Sequence, residues 1–280
     1  MSDAVRRSAE LTDQVVASFD ETPDERLRAV LAALTRHLHA FVAEVGLTPT
    51  EWAAAIDYLT AVGQACTPTR QEFVLLSDVL GVSSLVEAIA TAPDGTEATV
   101  LGPFHLTESP RRELGADIDL LGEGRPCRVG GTVRDTRGRP IPGATVDVWQ
   151  CTADGYYDVQ QPETQPAGNG RGLFVTDGEG RYWFRTVVPS HYPIPTDGPV
   201  GWLLDATRRH PYRPAHVHFL VRAPGFRSVT THAFVAGSPY LDGPDGDAVF
   251  AVKPSLVVDF SGPDGARFDV VLGDEVSASR

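Results

Sequence analysis

A chain of 280 residues, 42% of them apolar or aromatic, holds one large domain with room for a smaller appendage. Its net charge of −13, with no lysine- and arginine-rich block to offset it, excludes a nucleic-acid surface, and no stretch reaches the roughly 20 apolar residues of a membrane span. The first 30 residues lack the apolar centre of a signal peptide, and Cys66, Cys127 and Cys151 form neither a zinc pattern nor a disulfide framework, so a reducing cytoplasm is expected.

The N-terminal part reads as helices. Thr22-Pro23-Asp24-Glu25 is a capping box with proline at the first helical position, and it opens a run in which Leu27, Val30, Leu31, Leu34, Leu38, Phe41, Val42 and Val45 recur at spacings of three and four until Gly46. Thr48-Pro49-Thr50-Glu51 repeats the signal for a helix to about Cys66. Thr67-Pro68 precedes a third, through Phe73, Leu76 and Leu80, and a short fourth follows Ser83. Mutual packing explains most of these stripes, and a dimer contact is the second use of such helices.

From Pro93 the composition changes to short β-branched runs between glycine and proline turns. Strands are expected at 128–134, 144–149, 181–188, 216–222, 228–236, 255–260 and 267–272, with no interleaved helices. The fold class is therefore α+β: an all-helical region over residues 1–95, then an antiparallel β-sandwich or barrel over 96–280.

Within the strand at 216–222, His216 and His218 point to one face, with Cα atoms roughly 7 Å apart, while Val217 and Phe219 face the packed side. Two imidazoles so placed can bend onto one metal ion, although many His-x-His pairs are only half-buried strand residues. No cysteine or carboxylate follows within the next few positions to complete a zinc or cupin-like set. Tyrosines in two glycine- and proline-rich loops precede it instead: Tyr157 after Gly155-Tyr156, and Tyr192 within Pro189–Pro195. A phenol ligates usefully only where a strong Lewis acid such as Fe(III) favours the phenolate. For either tyrosine alone, a core ring with a hydrogen-bonded hydroxyl is the competing explanation.

Three motifs carry a family likeness. Val133–Tyr157, Gly180–Thr186 and Arg213-Pro214-Ala215-His216-Val217-His218-Phe219 resemble the signature of intradiol ring-cleaving dioxygenases, and the likeness covers nearly the whole chain, including Leu101-Gly102-Pro103-Phe104. The resemblance implies one non-haem Fe(III) per chain, held by Tyr157, Tyr192, His216 and His218; the family's Gly-x-Tyr spacing after Gly155 selects Tyr157 over Tyr156. It also implies that a diol binds through both oxygens, that Tyr192 gives way and takes a substrate proton, and that O2 opens the ring to a muconate-type diacid. Arg213 then supplies positive charge to the anionic substrate. The helical region is expected to join a homodimer and, as in some family members, to hold lipid.

Leu75–Gly81, Tyr192–Pro195 and Asp247–Phe260 look most like the branch that cleaves hydroxyquinol, benzene-1,2,4-triol. The substrate pocket this implies comprises Leu75, Asp78, Gly102, Pro103, Phe104, Ile194, Pro195, Arg213 and Val252, with Asp78 accepting a hydrogen bond from the third hydroxyl. His232 stands where catechol-cleaving relatives often carry glutamine; His37, His39, His105, His191 and His210 read as structural. Two alternatives compete: a catechol or chlorocatechol 1,2-dioxygenase with the same iron, and a prealbumin-like β-sandwich binding module. The second explains residues 128–149 but leaves the tyrosine and histidine set without a role.

Overall fold

The computed structural model describes residues 3–67, 70–92, 94–105, 109–262 and 265–275. Helix α1 spans Asp3–Ala17, α2 Glu25–Val45 and α3 Pro49–Gln64. The α2 cap is Asp24, whose carboxylate accepts the Leu27 amide at 3.0 Å, so the helix starts two residues later than the Pro23 start read from the sequence. Gly46, at φ 62°, ends it as expected. Thr48 and Glu51 form the anticipated capping box: the Glu51 carboxylate accepts the Thr48 amide at 2.9 Å, and Thr48 Oγ1 accepts the Glu51 amide at 3.3 Å. Helix α1 falls inside the expected helical region, although no start signal marked its bounds, and it packs on α2; Thr12 Oγ1 lies 2.8 Å from His39 Nδ1, a structural role for that histidine. Leu34, Leu38, Phe41 and Val45 on α2 remain more than half exposed rather than packed.

The chain divides into two compact units, one ending at Ala61 and the other beginning at Val62. The division falls within α3. Helices α4 (Glu72–Val79) and α5 (Val82–Ala90) belong to the second unit, where α4 packs on α5 and on α6 (Pro199–Thr207). Pro68 and Pro93 lie outside the described residues. Helix α6 is interleaved among the strands, contrary to the sequence reading; Pro199 at its first turn starts it. Among the described residues no single helix is long and apolar enough to cross a membrane.

Two sheets build the second unit. In one, β1 (Pro126–Asp135) lies between β10 (Ala266–Arg267), β11 (Val270–Leu272) and β4 (Arg181–Val187). The other runs in the order β3 (Arg171–Val175), β2 (Thr145–Trp149), β7 (His216–Arg222), β8 (Val229–Val235), β9 (Val257–Val258). Most pairs are antiparallel, but β1 pairs with β10 and β11, and β8 with β9, in parallel. A short ribbon joins β5 (Tyr192–Pro193) to β6 (Tyr212–Arg213).

The sheets face each other across an aromatic core. Phe219 of β7 meets Tyr182 of β4 and Phe268 at ring-centre distances of 5.9 and 4.9 Å, and Phe174 stacks on Phe184 at 5.3 Å. Because side chains alternate along β7, burying Val217 and Phe219 against the other sheet turns His216 and His218 to the opposite face.

Candidate metal centre

Four side chains converge on that face. His216 Nε2 and His218 Nε2 are 3.1 Å apart, His218 Nε2 is 3.0 Å from Tyr157 Oη, and Tyr157 Oη is 3.2 Å from Tyr192 Oη. All four residues are at most 2% exposed. Tyr156 stays at the surface, 45% exposed, so the backbone turn separates the two neighbouring phenols. Gly155 makes the approach possible: its φ is +87°, and a Cβ there would lie 3.1 Å from Cβ of Tyr192.

The donor chemistry fits a metal. His216 Nδ1 lies 2.6 Å from the Pro214 carbonyl, which only accepts, so the Nδ1 proton is fixed and Nε2 is the unprotonated nitrogen. Burial pushes both imidazoles well below their ordinary pKa, leaving the neutral form that ligates. Burial also pushes both phenols up, that of Tyr157 farthest, while Arg213 partly offsets the rise at Tyr192. Their spacing of about 3 Å is that expected for neighbouring ligands on bonds of roughly 2.1 Å. A trivalent cation among them favours both phenolates, which the apolar surroundings alone disfavour.

A row of buried residues backs the cluster. Across β3, β2, β7 and β8, Arg171 is opposite Trp149, Trp149 opposite His218, and His218 opposite His232. Trp149 stacks on His218 at 4.6 Å with an interplanar angle of 13°. Arg171 Nε donates to Asp158 Oδ1 at 2.8 Å, and Asp158 Oδ2 accepts the Gly168 amide at 2.9 Å. The residue after Tyr157 is thereby tied to the same row that holds His218. Among the described residues, one group of three histidines, His216, His218 and His232, brings ring nitrogens within 4.8 Å of one another. His232 Nε2, however, faces Nδ1 of His218 at 2.7 Å, on the side of that ring away from the phenols.

Arg213 lies opposite Tyr192 on the β5–β6 ribbon, buried and clasped by Asp247. Its Nε and Nη2 donate to Asp247 Oδ1 and Oδ2 at 3.0 and 3.2 Å, leaving Nη1 at 3.3 Å from His216 Nε2. Burial opposes the guanidinium charge, but the carboxylate of Asp247 and the two phenols outweigh it and raise the pKa.

The profile of the Dioxygenase family matches residues 102–272, and that of the catechol dioxygenase N terminus matches 24–97. The chain belongs to the intradiol dioxygenases. Among relatives of this dioxygenase, hydroxyquinol 1,2-dioxygenase of Rhizobium sp. (strain MTP-10005) is 50% identical over 269 residues, covering 95% of this chain and 89% of its own. Catechol 1,2-dioxygenase of Candida albicans is 36% identical over 269 residues, covering 94% and 88%. The crystal structure of hydroxyquinol 1,2-dioxygenase from Pseudomonas putida DLL-E4 superposes with a TM-score of 0.85 at 45% identity, covering 98% of this chain and all of that one. A binding module without chemistry is thereby set aside.

The remaining expected pocket residues divide. Leu75, Pro103, Phe104 and Pro195 of the dioxygenase line one cavity of about 360 Å³ together with Arg70 and Gln160, and Phe104 stacks on Tyr157 at 4.6 Å. Gly102 touches the donor cluster: at φ +77° it leaves space that a Cβ would fill 3.2 Å from Cε1 of His218. Ile194 is buried beside Tyr192 in the chain. Val252 lines a different cavity, with Arg209, His210 and Phe250. Asp78 is 1% exposed, with Oδ1 unpartnered among the described residues. Burial pushes its carboxyl up to about 6 against the pull of Ser83 and Arg213. Sequence reasoning assigned no role to Asp247, Thr99, Trp149, Arg171 or Asp158. Asp247 lay in a quoted motif, but nothing in its spacing ties it to Arg213, 34 positions away.

Proposed function

We propose that this dioxygenase cleaves hydroxyquinol, benzene-1,2,4-triol, between its adjacent hydroxyl carbons, giving 3-hydroxy-cis,cis-muconate, the enol form of maleylacetate, with both atoms of O2 in the product. One Fe(III) per chain is held by Tyr157, Tyr192, His216 and His218. The observation that carries this is the convergence of two phenol oxygens and two Nε2 atoms at separations of 3.0 to 3.2 Å. Bound iron supplies the Lewis acidity and electron exchange that let an aromatic diol react with O2. Likeness to hydroxyquinol-cleaving relatives across the full chain, and the unpartnered carboxylate oxygen of Asp78, favour the triol over catechol.

The chain's own groups have separate tasks. Tyr192, whose anionic form Arg213 favours, takes the proton of one substrate hydroxyl. Arg213, its other donors occupied by Asp247, turns Nη1 toward the anionic diol. Phe104 and Trp149 flank the donor cluster with apolar rings and exclude water. Leu75, Gly102, Pro103, Ile194 and Pro195 shape the pocket, while Val252, in a separate cavity, takes no part in it, and Asp78 reads the third hydroxyl.

Residues before about 95 form the dimerisation region, the exposed α2 stripe supplying apolar surface for a second copy and for lipid. Light scattering at micromolar concentration tests the dimer. The three free cysteines suit a reducing cytoplasm. The deciding experiment measures iron, visible absorption and turnover together. Purified protein should be red-brown, carry about one iron per chain by the four-donor set, and turn over hydroxyquinol with a higher kcat/KM than catechol. Stoichiometric zinc without a visible band removes the iron, and a preference for catechol moves the chain to the catechol branch.

A further inference from the structure

His232 is wholly buried on β8, directly opposite His218, with its ring nitrogens turned away from the phenols of the donor cluster. Its Nε2 lies 2.7 Å from His218 Nδ1, and its Nδ1 lies 2.7 Å from Thr99 Oγ1. The Thr99 amide donates to the Thr230 carbonyl at 2.8 Å, so the hydroxyl is pinned beside β8 rather than carried on a free loop. The imidazole planes of His218 and His232 are 70° apart with centres at 4.2 Å, which rules out stacking as the reason for the contact.

A chain of three groups joined by two such contacts has two polarities. In one, Thr99 donates to His232 Nδ1, His232 Nε2–H donates to His218 Nδ1, and the remaining proton of His218 sits on Nε2, aimed at His216 Nε2. That polarity blocks the face shared with the phenols. In the other, His218 Nδ1–H donates to His232 Nε2, His232 Nδ1–H donates to Thr99 Oγ1, and the His218 Nε2 lone pair is bare. His216 needs no such choice, because the Pro214 carbonyl can only accept.

We infer that His232 is a positioning residue that, backed by Thr99, fixes the proton of His218 on Nδ1 and so presents Nε2 to the metal, and that it is not itself a ligand. The inference rests on the reading above of His218 as an iron ligand. A glutamine at 232 offers both a carbonyl acceptor for His218 and an amide donor for Thr99, so it preserves this polarity; leucine preserves neither. Loss of the partner of a ligating imidazole typically weakens metal affinity by about 10- to 100-fold.

The test compares wild type with His232→Gln, His232→Leu and Thr99→Val, reading iron content, visible absorption and the rate of iron loss to a chelator. Wild type and His232→Gln should keep their iron, and His232→Leu should surrender it about 10- to 100-fold faster, with Thr99→Val shifted the same way by a smaller factor. Thermal unfolding separates misfolding from metal loss. With gallium in place of iron, nitrogen-15 NMR of the intact wild-type protein should show the His218 proton on Nδ1, a readout that needs no variant to fold. A metal-shifted His232 nitrogen, or a His232→Gln protein as iron-free as His232→Leu, would make His232 a ligand and overturn the inference. Equal chelator rates for His232→Leu and wild type would overturn it too, and an unchanged Thr99→Val would remove the role of Thr99. Wild type without iron defeats the ligand reading itself, a result distinct from all of these.

Discussion

Asp247 grips Arg213 with both carboxylate oxygens, at 3.0 and 3.2 Å, where neither side chain is more than 2% exposed. The same two oxygens accept the amides of Val249 and Ala251 at 3.3 and 3.2 Å, so the carboxylate is held by its own loop before it meets the guanidinium. Removing one partner of a buried pair leaves the other charge uncompensated, a cost of about 3–5 kcal/mol. Asp247→Ala should therefore lower unfolding free energy by about that amount, and Asp247→Asn by less. Urea unfolding of both variants checks this; a loss below about 1 kcal/mol would mean that solvent reaches the pair.

Gly102 and Gly143 separate backbone strain from contact. Both have positive φ, +77° and +72°, but a Cβ at 143 meets nothing within 4 Å while one at 102 meets Cε1 of His218 at 3.2 Å. Gly143→Ala should cost only the strain of a left-handed alanine, on the order of 1 kcal/mol, with iron content unchanged. Gly102→Ala should add a loss of iron and of the visible band. Metal analysis and thermal unfolding of the two variants decide it; equal iron content would mean that His218 yields without losing its place.

Much of the centre was legible because its signals are local. His216 and His218 follow from strand alternation, and burial of Val217 and Phe219 on the far side turns that pattern into position. The helix starts before α2 and α3 were written in capping residues, with a shift to Asp24 because a side-chain acceptor outweighs a preceding proline. What stayed hidden depends on distant pairing. The Trp149–His218–His232 row exists only once β2, β7 and β8 are in register, and no spacing along the chain encodes register. The exposed face of α2 was read as packing because periodicity tells which residues share a face, never what covers it.

The Asp78 carboxyl is raised from 3.8 to about 6, chiefly by burial. The folded chain thus binds this proton more tightly than the unfolded one, and the group's contribution to stability is full in acid and is lost as pH rises through about 4 to 6. From pH 4.5 to 7.5 the loss is roughly 2 kcal/mol. Asp78→Asn should remove that pH dependence, so its stability relative to wild type should be greater at pH 7.5 than at pH 4.5. Urea unfolding at the two values measures it, and parallel curves would place the carboxylate in contact with solvent.

That cost is borne by the residue proposed to recognise the third hydroxyl, and the two properties should be separable by substrate. Catechol lacks the hydroxyl that Asp78 is expected to bind, so Asp78→Ala should leave kcat/KM for catechol nearly unchanged. For hydroxyquinol the lost hydrogen bond to a charged acceptor is worth roughly 1.5–3 kcal/mol, or about tenfold to a hundredfold in kcat/KM. The visible iron band should persist, since Asp78 is not among the four proposed ligands. Steady-state rates for both substrates on both proteins test the assignment. Equal losses on the two substrates would make Asp78 a structural residue of α4, and a loss confined to hydroxyquinol would fix the site at which the third hydroxyl is read.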